Sequence, residues 1–345
     1  MDLVESALGS SSGDTGLFKA KIVVCGVGGG GSNTVQRLSG SQVSGATLVA
    51  VNTDAKHLAT LDPSIKKVLI GGPLTRGLGA GGFPEMGMKA AEYSRSDIAA
   101  AIGSCNMLFI TAGMGGGTGG GAASVVAELA RSSGALVIGI VTFPFALERI
   151  RLKVAQESIE RLRKVTDTLI IIDNQRLFQV YKNVAMEQAF KIADEVAVRA
   201  VKGITDTIGK PGLINVDFAD IRAVMANRGL AMISVGEGVG HNRVNEVVKS
   251  TLENKLLDVD YEGTSGIMLY IKGGDDLTLG DANTIAGNLT QQAAPNANVI
   301  WGGRIDPDYN GKVEVVAIFT GVRSPQILGG EGREERSEDM GLGSM

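Results

Sequence analysis

Two glycine-rich segments carry the residue types best suited to chemistry in this 345-residue chain. Residues 113–121 (GMGGGTGGG) hold seven glycines in nine positions, directly after the apolar run 107–111 and before the alanine-rich stretch 122–130. Glycine costs roughly 0.5–1 kcal/mol per position in regular structure, so this density points to a backbone that approaches something closely. A glycine loop opening a helix, with N–H groups turned outward, suits phosphate. Residues 26–33 (GVGGGGSN) follow a second apolar run and match G-x-G-x-x-G at Gly26, Gly28 and Gly31; Asp54 closes the next strand-like run. That is the spacing of a dinucleotide fingerprint, whose acid holds the ribose. No G-x-x-x-x-G-K-[ST] occurs, so no loop lysine neutralises terminal phosphates. Backbone N–H groups, helix dipoles and Mg²⁺ would have to meet the charge.

A third constellation is 215–220 (NVDFAD), just after Pro211 and Gly212. Asp217 and Asp220 share a face if a helix starts near Phe218. On residues alone capping ranks first, with Asp217 as N-cap and Asp220 in the first turn. Beside the glycine loops two carboxylates would repel phosphate, whereas across a subunit contact they could polarise a water. His57 and His241 are the only histidines; each reads as a surface residue, not a catalyst. At this level a nicotinamide or flavin oxidoreductase using Gly26 to Gly31 and Asp54 stays open.

The elements that must position these residues alternate. Short β-branched runs at 22–25, 48–51, 68–70, 107–111, 136–141 and 168–172 are separated by helix-like segments, as in a doubly wound α/β sheet. A long helical pattern follows, with Met186, Ala189, Phe190, Ala193, Val196, Ala197, Ala200, Val201 and Ile204 at steps of three and four. Beyond Ile233 four strands and two helices predict a small second α/β layer. Hydrophobic content of 44% marks a well-buried globular chain. A net charge of −4 with scattered basic residues argues against nucleic acid. Cys25 and Cys105 sit in or beside apolar runs and read as buried thiols of a reducing compartment. The start of the chain is acidic and Ser/Gly-rich without a basic, apolar leader pattern. Residues 98–127 carry no charge, but the glycine cluster within them rules out a membrane helix.

Taken in order, GVGGGGSN (26–33), VNTD (51–54), LTRGLGAGGFPEMG (74–87), AGMGGGTGGGAA (112–123) and PGLINVDFADIRAVM (211–225) resemble the motifs of the FtsZ family of tubulin-like cell-division GTPases, over about residues 20–322. Gly120 departs from the pattern, where the family more often has Ser or Thr. The resemblance implies an α/β, tubulin/FtsZ-like fold: a doubly wound, Rossmann-like GTPase domain, a long central helix and a smaller C-terminal α/β domain. The expected boundaries are a flexible arm (1–18), a GTP-binding domain (19–183), the central helix (184–209), a synergy loop with its following helix (210–230), an activation domain (231–323) and a disordered tail (324–345).

The resemblance also implies roles. Gly28, Gly29, Gly30 and Asn33 would contact phosphate and nucleoside, with Asp54 kept from the fingerprint. Ala80 and Gly81 would approach the γ-phosphate, and Gly115, Gly116, Gly117, Thr118 and Gly119 would cradle the phosphates. Glu148 and Arg151 would serve the ribose and phosphate side. Asn174 would bind guanine, Phe190 would stack on it, and Asp194 would accept from its N1–H and exocyclic amine, a donor pair that adenine lacks. Asn215, Asp217 and Asp220 would act in trans on a neighbour's site. The expected ligands are GTP or GDP, with Mg²⁺ bound through phosphates and water. The expected partners are further copies, head to tail, and a membrane-tethering or divisome adaptor at the tail (324–328). Nucleic acid and membrane insertion are not expected, and the location is the cytoplasm at the division ring.

Overall fold

The structure, a computed structural model, describes residues 20–41, 43, 45–180, 186–209, 216–226, 229–253, 264–291 and 293–322. The expected arm, Asn215 and the expected tail lie outside the described residues. Among those described, ten strands form one sheet: β1 (Ile22–Val27), β2 (Ala46–Asn52), β3 (Lys66–Leu69), β4 (Met107–Gly113), β5 (Leu136–Phe143), β6 (Thr168–Asp173), β7 (Gly229–Val239), β8 (Gly266–Gly273), β9 (Asn298–Ile305) and β10 (Lys312–Val322). Their order is β3-β2-β1-β4-β5-β6-β7-β10-β8-β9. β3 through β7 run parallel. β10 is antiparallel to β7 and β8, and β9 is parallel to β8. β1 (IVVCGV) and β6 (TLIIID) are buried at every position, as strands covered on both faces must be.

The helices are α1 (Gly28–Gly40), α2 (Ala55–Thr60), α3 (Gly72–Thr75), α4 (Pro84–Tyr93), α5 (Arg95–Ile102), α6 (Gly117–Ser132), α7 (Ile150–Arg163), α8 (Asn174–Val180), α9 (Met186–Gly209), α10 (Phe218–Met225), α11 (Arg243–Glu253) and α12 (Leu279–Thr290). One core gathers Ile98, Val126, Ile159, Val247 and Ile285 under α5, α6, α7, α11 and α12. The other gathers Val35, Leu58, Val201 and Ile221 under α1, α2, α9 and α10. The second α/β layer expected beyond Ile233 is thus no separate sheet. It continues the first through the short pairing of Thr168, Leu169 and Ile170 with Gly229, Leu230 and Ala231.

The two glycine segments are also placed differently from the expected loops. α1 starts at Gly28 and α6 at Gly117, so most of these glycines lie in opening helical turns. Tertiary packing overrides their poor helix propensity. A Cβ at Gly117 would come within 2.7 Å of Phe83 N, and one at Gly121 would run into the Pro84 carbonyl. The backbones of α6 and α4 therefore touch. At Gly120 a Cβ would lie 2.6 Å from Ser158 Oγ.

Candidate functional site

A cavity of about 590 Å³ opens at the carboxyl ends of the parallel strands, where Val27 ends β1, Gly113 ends β4 and Asn174 follows β6. This is where ligands bind on open α/β sheets, and the volume suits a small molecule. Two helices begin at its wall. α1 is preceded by Val27 and α6 by Gly116; neither has a side-chain cap or an acidic residue in its first turn. Their leading N–H groups lack intrahelical partners and carry the positive end of the helix dipole, so an anion is the natural complement. Three helices away from the cavity do carry such a cap: Asp54 accepts from His57 N, Asp217 from Asp220 N and Thr278 from Asp281 N.

The loop before α4 closes the same end, with Gly81 and Gly82 at φ 61° and 80°. It is anchored by Gly79 N donating to Thr53 O (3.2 Å) and Ala55 N to Gly77 O (3.0 Å). Thr118 is held by a 2.7 Å bond to the Thr53 hydroxyl. Across the cavity, Glu148 accepts from Phe145 N (3.0 Å) and pairs with Arg151 at 2.7 Å. Arg149, between them, sits at φ 33°, ψ −83°. Such a conformation costs a non-glycine residue on the order of 1–3 kcal/mol.

The far end is built by α8 and α9. Phe190 is 45% exposed, and its ring meets Phe145 edge-on at 5.4 Å. The apolar stripe of α9 does not swallow this residue, so its ring face remains available at the cavity. Asp194 accepts from Thr34 Oγ1 (3.0 Å) and Arg37 Nε (2.9 Å). Burial raises its pKa above the usual aspartate value, against the lowering effect of those two partners. Asn174 is 6% exposed, and its Oδ1 has no partner among the described residues. A buried amide oxygen without a partner at a cavity wall calls for a donor from outside the protein. An anion-binding end, an aromatic face and a carboxylate acceptor together fit a guanine nucleotide.

Of the expected ligand residues, the structure brings Gly29, Gly30, Asn33, Ala80, Gly115, Gly116, Gly117, Thr118, Gly119, Glu148, Arg151, Asn174, Phe190 and Asp194 to this cavity. Gly28, Gly81 and Asp54 are not among its lining residues. Gly28 is buried against Gly119, and Gly82 lines the wall in place of Gly81. Asp54 corrects the dinucleotide reading: α2 begins at the next residue, so its carboxylate caps that helix and does not reach toward a ribose. Sequence reasoning missed Thr34, Arg37 and Lys191, which also line the cavity. The signal for the first two was present, since Gly30, Thr34 and Arg37 repeat at i, i+4, i+7 on the helix opened by the glycines.

The description "Tubulin/FtsZ family, GTPase domain" matches residues 21–182, and "FtsZ family, C-terminal domain" matches residues 229–323. The chain belongs to the FtsZ family. Residues 21–182 are accordingly a GTPase domain that binds GTP and GDP. Among relatives, "Cell division protein FtsZ 2" of Methanocaldococcus jannaschii is 50% identical, over 97% of this chain and 90% of its own. "Cell division protein FtsZ 2" of Halobacterium salinarum (strain R1) is 48% identical, over 90% of this chain and 78% of its own. The solved "FtsZ dimer, empty" of M. jannaschii superposes with a TM-score of 0.83 at 46% identity, covering 92% of this chain and 91% of that one. "CetZ1 from Haloferax volcanii" shares the FtsZ fold at 24% identity and TM-score 0.78.

Asp217 and Asp220, the carboxylates expected to act in trans, lie elsewhere. α10 packs under the amino ends of the strands: Arg222 donates to Gly134 O (3.1 Å) just before β5, and Thr168, which opens β6, donates to Met225 O. Asp217 and Asp220 at the head of this helix are exposed. Asp217 Oδ1 accepts from Asp220 N at 2.8 Å, so the cap inferred from residues is present. Neither side chain lines the cavity of its own subunit. At ~3.3 Å per residue, the eight residues of β5 separate the two edges by roughly 25 Å. Among the described residues there is no cluster of His, Cys, Asp or Glu able to hold a metal ion, and no helix is long and apolar enough to cross a membrane.

Proposed function

We propose that this chain hydrolyses GTP as a head-to-tail filament in cell division, with Asp217 and Asp220 of one copy completing the cavity of the next. The observation that carries this reading is the separation of the parts. The cavity opens at the carboxyl edge of the parallel strands, and two exposed carboxylates stand at the amino edge. Stacking identical copies along the strand direction brings these edges together. Such a heterologous contact does not close on itself and generates filaments. Exposed apolar residues flank the cavity rim, with Leu78 and Phe83 on one side and Leu147 and Ile150 on the other, as a contact surface requires.

Within the assembled site, the N–H groups of α1 and α6 and of the turn between β4 and α6 hold the phosphates and stabilise charge on the transferring group. Asp194 and Asn174 read the guanine, and Phe190 stacks on it. Asn215, Asp217 and Asp220 of the neighbour orient the attacking water. Magnesium, carried on phosphate oxygens and water, would supply charge neutralisation there. We further assign the protein to the cytoplasm at the division ring, with residues 324–328 as the segment for an adaptor.

Turnover measured against protein concentration, with light scattering in parallel, tests the reading. A shared threshold in both signals is expected, and turnover per subunit that stays constant with dilution sinks it. Asp220→Ala and Asp217→Asn should keep GTP affinity while turnover falls about 10²-fold or more, the usual scale for a water-orienting or acid–base group. Asn preserves the cap, so the second variant separates charge from helix stability.

A further inference from the structure

We propose that His57 is a positioning residue that turns the side-chain amide of Asn33 toward the bound nucleotide. The inference rests on the guanine-nucleotide reading of the cavity. Its ground is a chain of three hydrogen-bonded side chains whose proton positions can be deduced.

The chain starts at Asn52, which is 3% exposed. Its Oδ1 accepts from two backbone donors, Thr53 N at 2.9 Å and Asp54 N at 3.3 Å. An amide has one acceptor atom and one donor atom. The two backbone bonds therefore fix Asn52 with Nδ2 outward, 3.3 Å from His57 Nδ1. Nδ1 must accept and so carries no proton. The neutral ring then holds its proton on Nε2, which donates to Asn33 Oδ1 at 3.0 Å. In the reverse arrangement Asn33 would donate to Nε2, which would put the ring proton on Nδ1, against the Asn52 amide hydrogens.

With Oδ1 engaged, Asn33 is left with its NH₂ as donor at the cavity wall. No acceptor for that NH₂ is found among the described residues. Asn33 is exposed and His57 half-buried; without the imidazole the Asn33 side chain would choose among rotamers. His57 is itself held by its backbone N–H donating to Asp54 Oδ1 at 3.0 Å. Asp54 thus serves the site indirectly, by seating the histidine. The relay links β2, α2 and α1 and presents one directed donor to an acceptor oxygen of the nucleotide, in addition to the N–H groups of the helix N-termini. Pre-arranging such a donor lowers the ordering cost of binding.

Two measurements test this. First, in His241→Gln protein labelled with ¹⁵N-histidine, His57 is the sole histidine, and its NMR signature should report the neutral ring protonated at Nε2. Protonation at Nδ1 overturns the proposal. Second, His57→Ala should weaken GTP and GDP binding about 3–10-fold, the scale of one net hydrogen bond, with the loss falling on KM and not on kcat. His57→Gln, whose amide NH₂ can replace Nε2–H, should recover most of the affinity. Full affinity in the alanine variant, or a glutamine variant as weak as alanine, overturns the proposal. If the wild-type protein takes up no guanine nucleotide, the nucleotide reading itself fails, while the tautomer measurement still reports on the relay.

Discussion

The nucleotide cavity and the cleft on the other side of α9 are made of different material. The anion-binding end of the cavity is largely glycine backbone and uncapped helix N-termini. The cleft, about 960 Å³ between α9 and the strands β8, β9 and β10, is lined by long charged side chains. There Arg199 meets Glu195, Glu237 and Glu314, Arg304 meets Asp206 at 3.2 Å, and Lys272 meets Asp306 at 2.8 Å with its ammonium over the Tyr309 ring. Arg37 borders both spaces. A wall of backbone cannot retract or rotate, so it holds a preformed geometry for one ligand. Ion pairs with an exposed partner, such as Arg199 with Glu195 and Glu237, are weak singly and re-form in other arrangements at little cost. One space is built to select, the other to adjust.

The sharpest way to break this contrast is to add an atom to the rigid side. Gly121→Ala should drive a methyl into the Pro84 carbonyl and to within 2.6 Å of Met88 N. Overpacking of this kind costs about 1–3 kcal/mol or more. Thermal unfolding should show a clear drop in Tm, and an unchanged Tm would mean that α4 and α6 can part freely. Asp194→Ala comes next. Losing a charged acceptor should weaken GTP about 10–100-fold while narrowing the preference for GTP over ATP in competition binding.

The same carboxylate sets a pH dependence. Burial raises its pKa, so it takes up a proton at a higher pH than an exposed aspartate. GTP affinity should fall as the solution is acidified toward that range. This group's contribution to stability has the opposite sign: it is greatest in acid and is lost as pH rises through the folded-state value. Affinity that holds down to the ordinary aspartate range would show that Asp194 does not read the base.

The smallest effect belongs to the cleft. Glu195→Gln, which removes an exposed partner of Arg199, should cost about 1 kcal/mol or less, with the difference from wild type shrinking as salt is added. A loss that is large and independent of salt would make the cleft as rigid as the cavity.

How much of this was legible in the chain varies with the range of the interaction. The glycine segments announced a phosphate site because the requirement for close backbone approach is local. That these glycines lie within helices was not legible, since it depends on α4 packing against α6 some thirty residues away. Asp54 was misread because the distance to the glycines matched a ribose acid, whereas the start of α2 at Ala55 decides its use. Phe190 fitted the periodic stripe of α9, yet the cavity keeps it exposed. The union of the two α/β layers into one sheet rests on three residue pairs between β6 and β7, distant in sequence and without a pattern of their own.

That short pairing has a mechanical consequence. β7 has eleven residues, of which only the first three pair with β6, while Leu230 through Val239 pair with β10. Between two stiff plates, strain collects at the narrowest seam. Pull or torque passed along a row of such molecules would act on the joint at Thr168, Leu169 and Ile170 before it disturbed either plate, with α9 lying across that joint like a splint.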